Sequence, residues 1–176
     1  MRAKINSIRL NYISYRRKIS LSRSLKPSEI SHLKPVINIK NQWYGNSYGG
    51  FYAMPSLLNA ESVVYSIGIG KDISFDLALI KKHRCGIHAF DPTPKSIQWI
   101  GEQKLPASFH FYSYGISKQT GTVKFYLPEN PRGVSGSLVI HDDVDEKKLI
   151  EVPMKSLADI TSELGHRHLD VLKMDI

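Results

Sequence analysis

The alternation between residues 62 and 103 constrains this chain most. "SVVYSIG" (62–68) is a short, nearly continuous apolar run. "DISFDLALIKKH" (72–83) follows within a few residues and carries Ile73, Leu77 and Ile80 at helical spacing. "GIHAFD" (86–91) repeats the strand signal. "TPKSIQWIGEQ" (93–103) then opens with Thr93 in the capping position and Pro94 in the first helical turn. Strand, helix, strand, helix with short connections is the pattern of a parallel sheet covered by helices. A third strand is read at "FHFYSYGIS" (109–117). A fourth extended segment, "GTVKFYLP" (121–128), reads as an antiparallel or edge addition. "VPMKSLADITSELG" (152–165) reads as a helix ending at Gly165, and "LDVLKMDI" (169–176) as a last strand. Right-handed crossovers order the first three strands 3-2-1 and put the last strand on the far side of the first. That reversal opens a crevice at the carboxyl ends of the first and last of these strands, where open α/β sheets bind ligands.

Before this region, "NQWYGNSYGGFYAMPSLL" (41–58) reads as an aromatic loop or short hairpin laid on the domain, covering an apolar edge or facing a substrate. "SEISHLKPVI" (28–37) reads as a short helix stopped by Pro35. The expected division is a basic arm with a short helix over 1–42 and a domain over 43–176. The net charge of +8 belongs to the arm, because residues 1–28 hold eight Lys/Arg and no acid. The remainder balances sixteen basic against sixteen acidic residues. A basic patch built into a fold argues for nucleic acid, whereas a basic arm is most simply a solvated lead-in, so nucleic acid is not an expected partner. The arm has no apolar run of the length a secretory signal needs. No stretch approaches 18 uninterrupted apolar residues, so no membrane span is expected. The single cysteine, Cys85, excludes an internal disulfide and makes a reducing compartment, the cytoplasm, the simplest reading.

The glycines between the first strand and helix carry the chemistry. Gly68 and Gly70 permit a turn within a few residues and, lacking Cβ atoms, let a ligand touch backbone. The following helix aims free amides and its partial positive end at the same spot, with Asp72 as a candidate cap. Asp91 lies 21 residues beyond Gly70, at the end of the second strand, where a carboxylate can accept hydrogen bonds from an adenosine ribose. Plain turn roles are the alternatives for all of these residues. NAD and S-adenosylmethionine both fit. Ile73 stands where a dinucleotide fingerprint has its third glycine, which leans toward the methyl donor.

"YGGFYAMPSLLNAESVVYSIGIGKDISFDLALI", "HAFDPTPKSI", "FHFYSYGIS", "VSGSLV" and "VPMKSLADITSELGHRHLDVLKMDI" together resemble successive blocks of the FkbM-family methyltransferases, over roughly residues 43–176. The resemblance implies an α/β, Rossmann-like class I methyltransferase sandwich of three layers that uses S-adenosylmethionine. It further implies O-methylation of a hydroxyl on a saccharide or other small metabolite. By the same likeness, Gly68 and Gly70 would line the methionine part of the cofactor and Asp91 would bind the ribose. Tyr114, Gly115 and Ile116 would meet the adenine, and Asp175 would face the transferred methyl. The family pattern continues past "LKMDI" with a Glu-Gly turn, a helix and three strands. The sheet is therefore expected to be incomplete in its C-terminal half, with an open edge inviting self-association. The competing readings are a catalytically inactive module binding a nucleoside or a partner chain, and an NAD(P)-dependent oxidoreductase.

Methyl transfer needs alignment and a route for the acceptor proton, and Asp175 is the first candidate base. His141 and the acids after it are second. His141, Asp142, Asp143 and Asp145 also have metal-binding chemistry but read more simply as a solvated loop, so no metal is expected. His166 and His168 read as an exposed turn, and Cys85 as a small buried residue. "RGVSGSL" (132–138) is a Ser/Gly loop that either closes over an acceptor or merely connects.

Overall fold

The computed structural model describes residues 37–129, 136–138 and 144–176. The chain divides after Ile39, and Lys40–Ile176 form one compact unit. The helix read over 28–37, apart from its last residue Ile37, and the histidine and acids at 141–143 lie outside the described residues. Among the described residues, nine strands and three α-helices follow in order: β1 (Gln42–Tyr44), β2 (Phe51–Ala53), β3 (Val63–Ile67), α1 (Ser74–His83), β4 (Gly86–Phe90), α2 (Pro94–Gly101), β5 (Phe109–Tyr112), β6 (Gly115–Ser117), β7 (Gly121–Pro128), β8 (Val144–Ser156), α3 (Leu157–Leu164) and β9 (Val171–Met174). β1 and β2 form an antiparallel hairpin from the aromatic segment.

The central sheet has the order β5-β4-β3-β9 with every pairing parallel, so the first strand lies between the second and the last. Its side chains alternate between two cores, as the period of a strand requires. Val64, Ile87 and Ala89 pack with Phe75 and Leu79 of α1 and Ile100 of α2. Tyr65, Ile67 and Phe90 pack with Ile160 of α3 on the opposite face. Helices therefore cover both sides, and the unit is α/β. Cys85 is buried in the first core. Thr93 holds the N-cap position of α2 with Pro94 behind it, though its hydroxyl bonds Asp91 and Ser96 in place of a helix amide, and Gly165 closes α3 at φ +70°.

Three local expectations are corrected. The segment 109–117 is two strands, because β6 leaves the central sheet to pair with β8 in a second sheet of order β6-β8-β7. Residues 152–156 are the end of β8 and not the start of a helix. Val152 and Met154 are buried between more exposed neighbours, a period of two, and pairing with β7 overrides the helical reading. The helix begins at Leu157, after Ser156 caps it by accepting the Asp159 amide at 3.1 Å. On α1 the buried face is Phe75, Asp76 and Leu79, while Leu77 is exposed. Ile73 is the N-cap, with φ −118°, so it does not share the helical phase that the count from Ile73 assumed.

Candidate functional site

A cavity of about 670 Å³ opens beyond the carboxyl ends of the central strands, within the size range of small-molecule sites. One wall is the bend from Ile67 to Asp72, and another is Phe90 to Thr93. Lys173 and Asp175, with Ile176, close a third side. Gly115, Phe125 and Met154 of the second sheet and Tyr48 of the hairpin complete it.

The bend is shaped by its glycines. Gly68 has φ +72° and Gly70 has φ +53°, both in the left-handed region. At Gly68 the space a side chain would need is already filled by the chain itself. A Cβ there would lie 2.2 Å from the carbonyl oxygen of Asp175. The Gly68 amide donates to Phe90 O at 2.9 Å. Gly70 donates its amide to Asp91 Oδ2 at 2.9 Å.

Asp91 is 4% exposed and lines the cavity. Its Oδ1 accepts from the Thr93 amide at 2.9 Å and from Thr93 Oγ1 at 2.6 Å. A carboxylate has about four acceptor positions, so these bonds leave capacity for one further donor. Asp91 thus fastens the glycine bend to the start of α2 from the position predicted for a ribose ligand.

Asp72 does not occupy the cap position, yet it does the work of a cap from one residue earlier. Its Oδ1 accepts the Ser74 amide at 2.8 Å, and its Oδ2 accepts from Asn46 Nδ2. Burial alone would raise its carboxyl. The bonds from Ser74 and Asn46, with Lys173 nearby, outweigh that and hold it below the ordinary carboxylate value. Asn46 also ties its own turn, its Oδ1 accepting from the amides of Tyr48 and Gly49 at 2.7 and 2.8 Å. The Asn46 amide donates to Ser74 Oγ at 3.0 Å. A Cβ on Gly49 would meet the Asp72 carboxyl at 2.6 Å. The hairpin tip is therefore strapped to the head of α1 and holds Tyr48, 87% exposed, at the cavity rim.

Of the residues predicted for the site, Gly68, Gly70, Asp72, Asp91, Gly115, Ile116 and Asp175 all line this cavity. Tyr114 does not. Its ring packs at 5.6 Å from Phe90 and 5.7 Å from Tyr112, with Lys155 Nζ 4.5 Å from its centroid. Burial, then Glu163 and Tyr112, push its hydroxyl up to about 12. It belongs to the core on the α3 side, while its neighbour Gly115 faces the cavity. Asp175 is exposed, and its amide bonds Ile67 O at 3.1 Å. From the loop 132–138, residues 136–138 are described. Ser137 exchanges backbone bonds of 2.8 and 2.9 Å with Tyr126, and the segment walls the cavity.

Sequence reasoning missed two groupings. On the α1 face, Ser66, Asp76 and Lys173 are buried polar residues beneath the bend. Burial pushes Asp76 up to about 6, against the opposing pull of Ser66 and Lys173. The register places Ser66 directly beside Lys173, a juxtaposition visible only once the strand order is known. On the opposite face, His88 packs against His110 and His166 at 5.0 and 4.5 Å. Tyr65 Oη lies 2.7 Å from His166 Nδ1. Burial, then His166 and His110, push His88 down to about 4. Among the described residues no group of His, Cys, Asp and Glu is arranged to hold a metal, and Asp145 pairs with Lys148 at 3.0 Å. Nor is any helix among them long and apolar enough to cross a membrane.

No protein-family model, curated protein or solved structure matches the chain.

Proposed function

We propose that this chain is an S-adenosylmethionine-dependent methyltransferase of the FkbM type, acting on a hydroxyl of a saccharide or other small metabolite. One relationship carries the reading. Asp91 directly follows β4, bonds the glycine bend, and lines a cavity at the reversal of strand order. An acidic residue there suits a ribose diol, and the bend suits a ligand without a pyrophosphate. On this reading Asp91 holds the ribose, Gly68, Gly70 and Asp72 face the amino-acid tail, and Gly115 and Ile116 meet the adenine. The cofactor supplies an electrophilic methyl group. The protein aligns the acceptor and removes its proton, with Asp175 as the base.

One observation favours a second reading, a nucleoside-binding module without turnover. Asp175 is exposed, whereas efficient transfer requires water to be excluded. Thermal shift with S-adenosylhomocysteine against NAD tests the ligand class. A methyl-release assay with hydroxylated acceptors tests turnover. Stabilisation by NAD alone would sink the methyltransferase reading, and binding without methyl release would support the second.

A further inference from the structure

Lys173 carries the inference. Among the described residues it is the one basic side chain that is buried, 6% exposed, and it lines the cavity. Its Nζ makes one long hydrogen bond, 3.5 Å to the Gly68 carbonyl. The ring of Phe51 lies 5.1 Å away. Among the described residues no carboxylate comes within ion-pair distance of it. An ammonium group has three donors, and burying one with a single weak partner is costly unless an anion arrives. Asp76 is an internal candidate, since it is buried on the side of the sheet where α1 packs and acts electrostatically on Lys173. Its carboxylate oxygens have no hydrogen-bond partner among the described residues. Burial raises its pKa to about 6, so at neutral pH it is largely anionic, and it acts on Lys173 from beyond ion-pair distance.

The cavity's other charged walls sharpen the point. Asp72 is held below the ordinary carboxylate range and so stays anionic. A cation at Lys173 and an anion at Asp72, both beside the glycine bend, are complementary to a zwitterion. We propose that Lys173 is the receptor for the α-carboxylate of the ligand's amino-acid tail, with Asp72 facing its ammonium group. This assignment rests on the methyl-donor reading above.

The test uses the 176-residue chain and two probes. S-adenosylhomocysteine carries the tail, whereas 5′-methylthioadenosine keeps the nucleoside and lacks it. By calorimetric titration the wild type binds the first more tightly. Lys173→Met weakens S-adenosylhomocysteine about ten- to a hundredfold, the worth of a charge-assisted hydrogen bond. Binding of methylthioadenosine stays unchanged, and Lys173→Arg restores part of the loss. Lys173→Gln replaces the methionine variant if that one does not fold. Equal losses for both probes would make Lys173 a structural partner of Asp76 and overturn the assignment. So would a wild type that binds both probes equally, with the nucleoside reading left standing. A wild type that binds neither removes the methyl-donor reading itself and this inference with it.

Discussion

The Asp91 carboxylate accepts the Gly70 amide at 2.9 Å, so one side chain at the end of β4 sets the shape of the bend after β3. Asp91→Ala would leave the Gly70 amide and both Thr93 donors without their acceptor. A loss of about 1–3 kcal/mol in urea denaturation is expected. Asp91→Asn keeps one oxygen acceptor and loses less. Both variants are expected to weaken S-adenosylhomocysteine binding at least about tenfold, the size of one charged hydrogen bond. Wild-type affinity in Asp91→Asn would rule out the ribose role.

Gly68→Ala is expected to be far more damaging than any other glycine-to-alanine change in the central sheet's connections. It forces a side chain to φ +72° and places a Cβ 2.2 Å from the Asp175 carbonyl oxygen. The cost should exceed about 2 kcal/mol, with loss of amide protection along β9 in hydrogen exchange. Gly101→Ala is the control. Gly101 ends α2, and nothing lies within 4 Å of its added Cβ, so that change should be neutral or stabilise by up to about 1 kcal/mol.

A buried and a half-buried group give stability slopes of opposite sign with pH. Asp76 has a native value raised from 3.8 to about 6. The native state therefore binds more protons between those values, and this contribution to stability is lost as pH rises through them. His88 has a native value lowered from 6.5 to about 4, among His110, His166, Tyr65 and Tyr112. Here the unfolded state binds the proton first, and stability is lost as pH falls from 6.5 towards 4. Asp76→Asn should stabilise more at pH 7 than at pH 4, and so steepen the decline on acidification. His88→Phe should flatten that decline. Urea unfolding across pH 4 to 7.5 measures both, and parallel curves for Asp76→Asn and wild type would refute the first.

β9 pairs with β3 on one side, and among the described residues no strand pairs with its other side. Leu172 and Met174 are 42% and 48% exposed. An apolar edge of this kind recruits another strand. The 176-residue polypeptide is expected to self-associate in light scattering, and Leu172→Lys should shift it toward monomer. A monomer at every concentration would contradict this.

Much of the scaffold was legible in the sequence. Short apolar runs before helices, joined by short connections, dictated the 3-2-1 order, and crossover handedness put the last strand beside the first. Thr93, Pro94 and Gly165 marked helix ends through local backbone chemistry. Local signals failed where distant pairing decided. Val152–Ser156 have enough helical character to mislead, but β7 and β6 claim them as strand. Ile73 misled because a cap residue lies outside the helical phase. Tyr114 and Gly115 are adjacent in sequence, yet they face different compartments once β6 leaves the central sheet. Lys173 was invisible as a site residue because its burial depends on β9 lying against Ser66.

The close approach of Asp175 to Gly68 has a consequence for assembly. The bend's outer boundary is backbone synthesised long after the bend itself. A nascent chain that has made β3, β4 and both helices behind them possesses both glycines of the bend but not the backbone that bounds Gly68. The cavity is thus complete only once β9 has joined the sheet. On the proposed reading, a ligand held there would brace the last strand in place, and its capture would report that the sheet has been assembled.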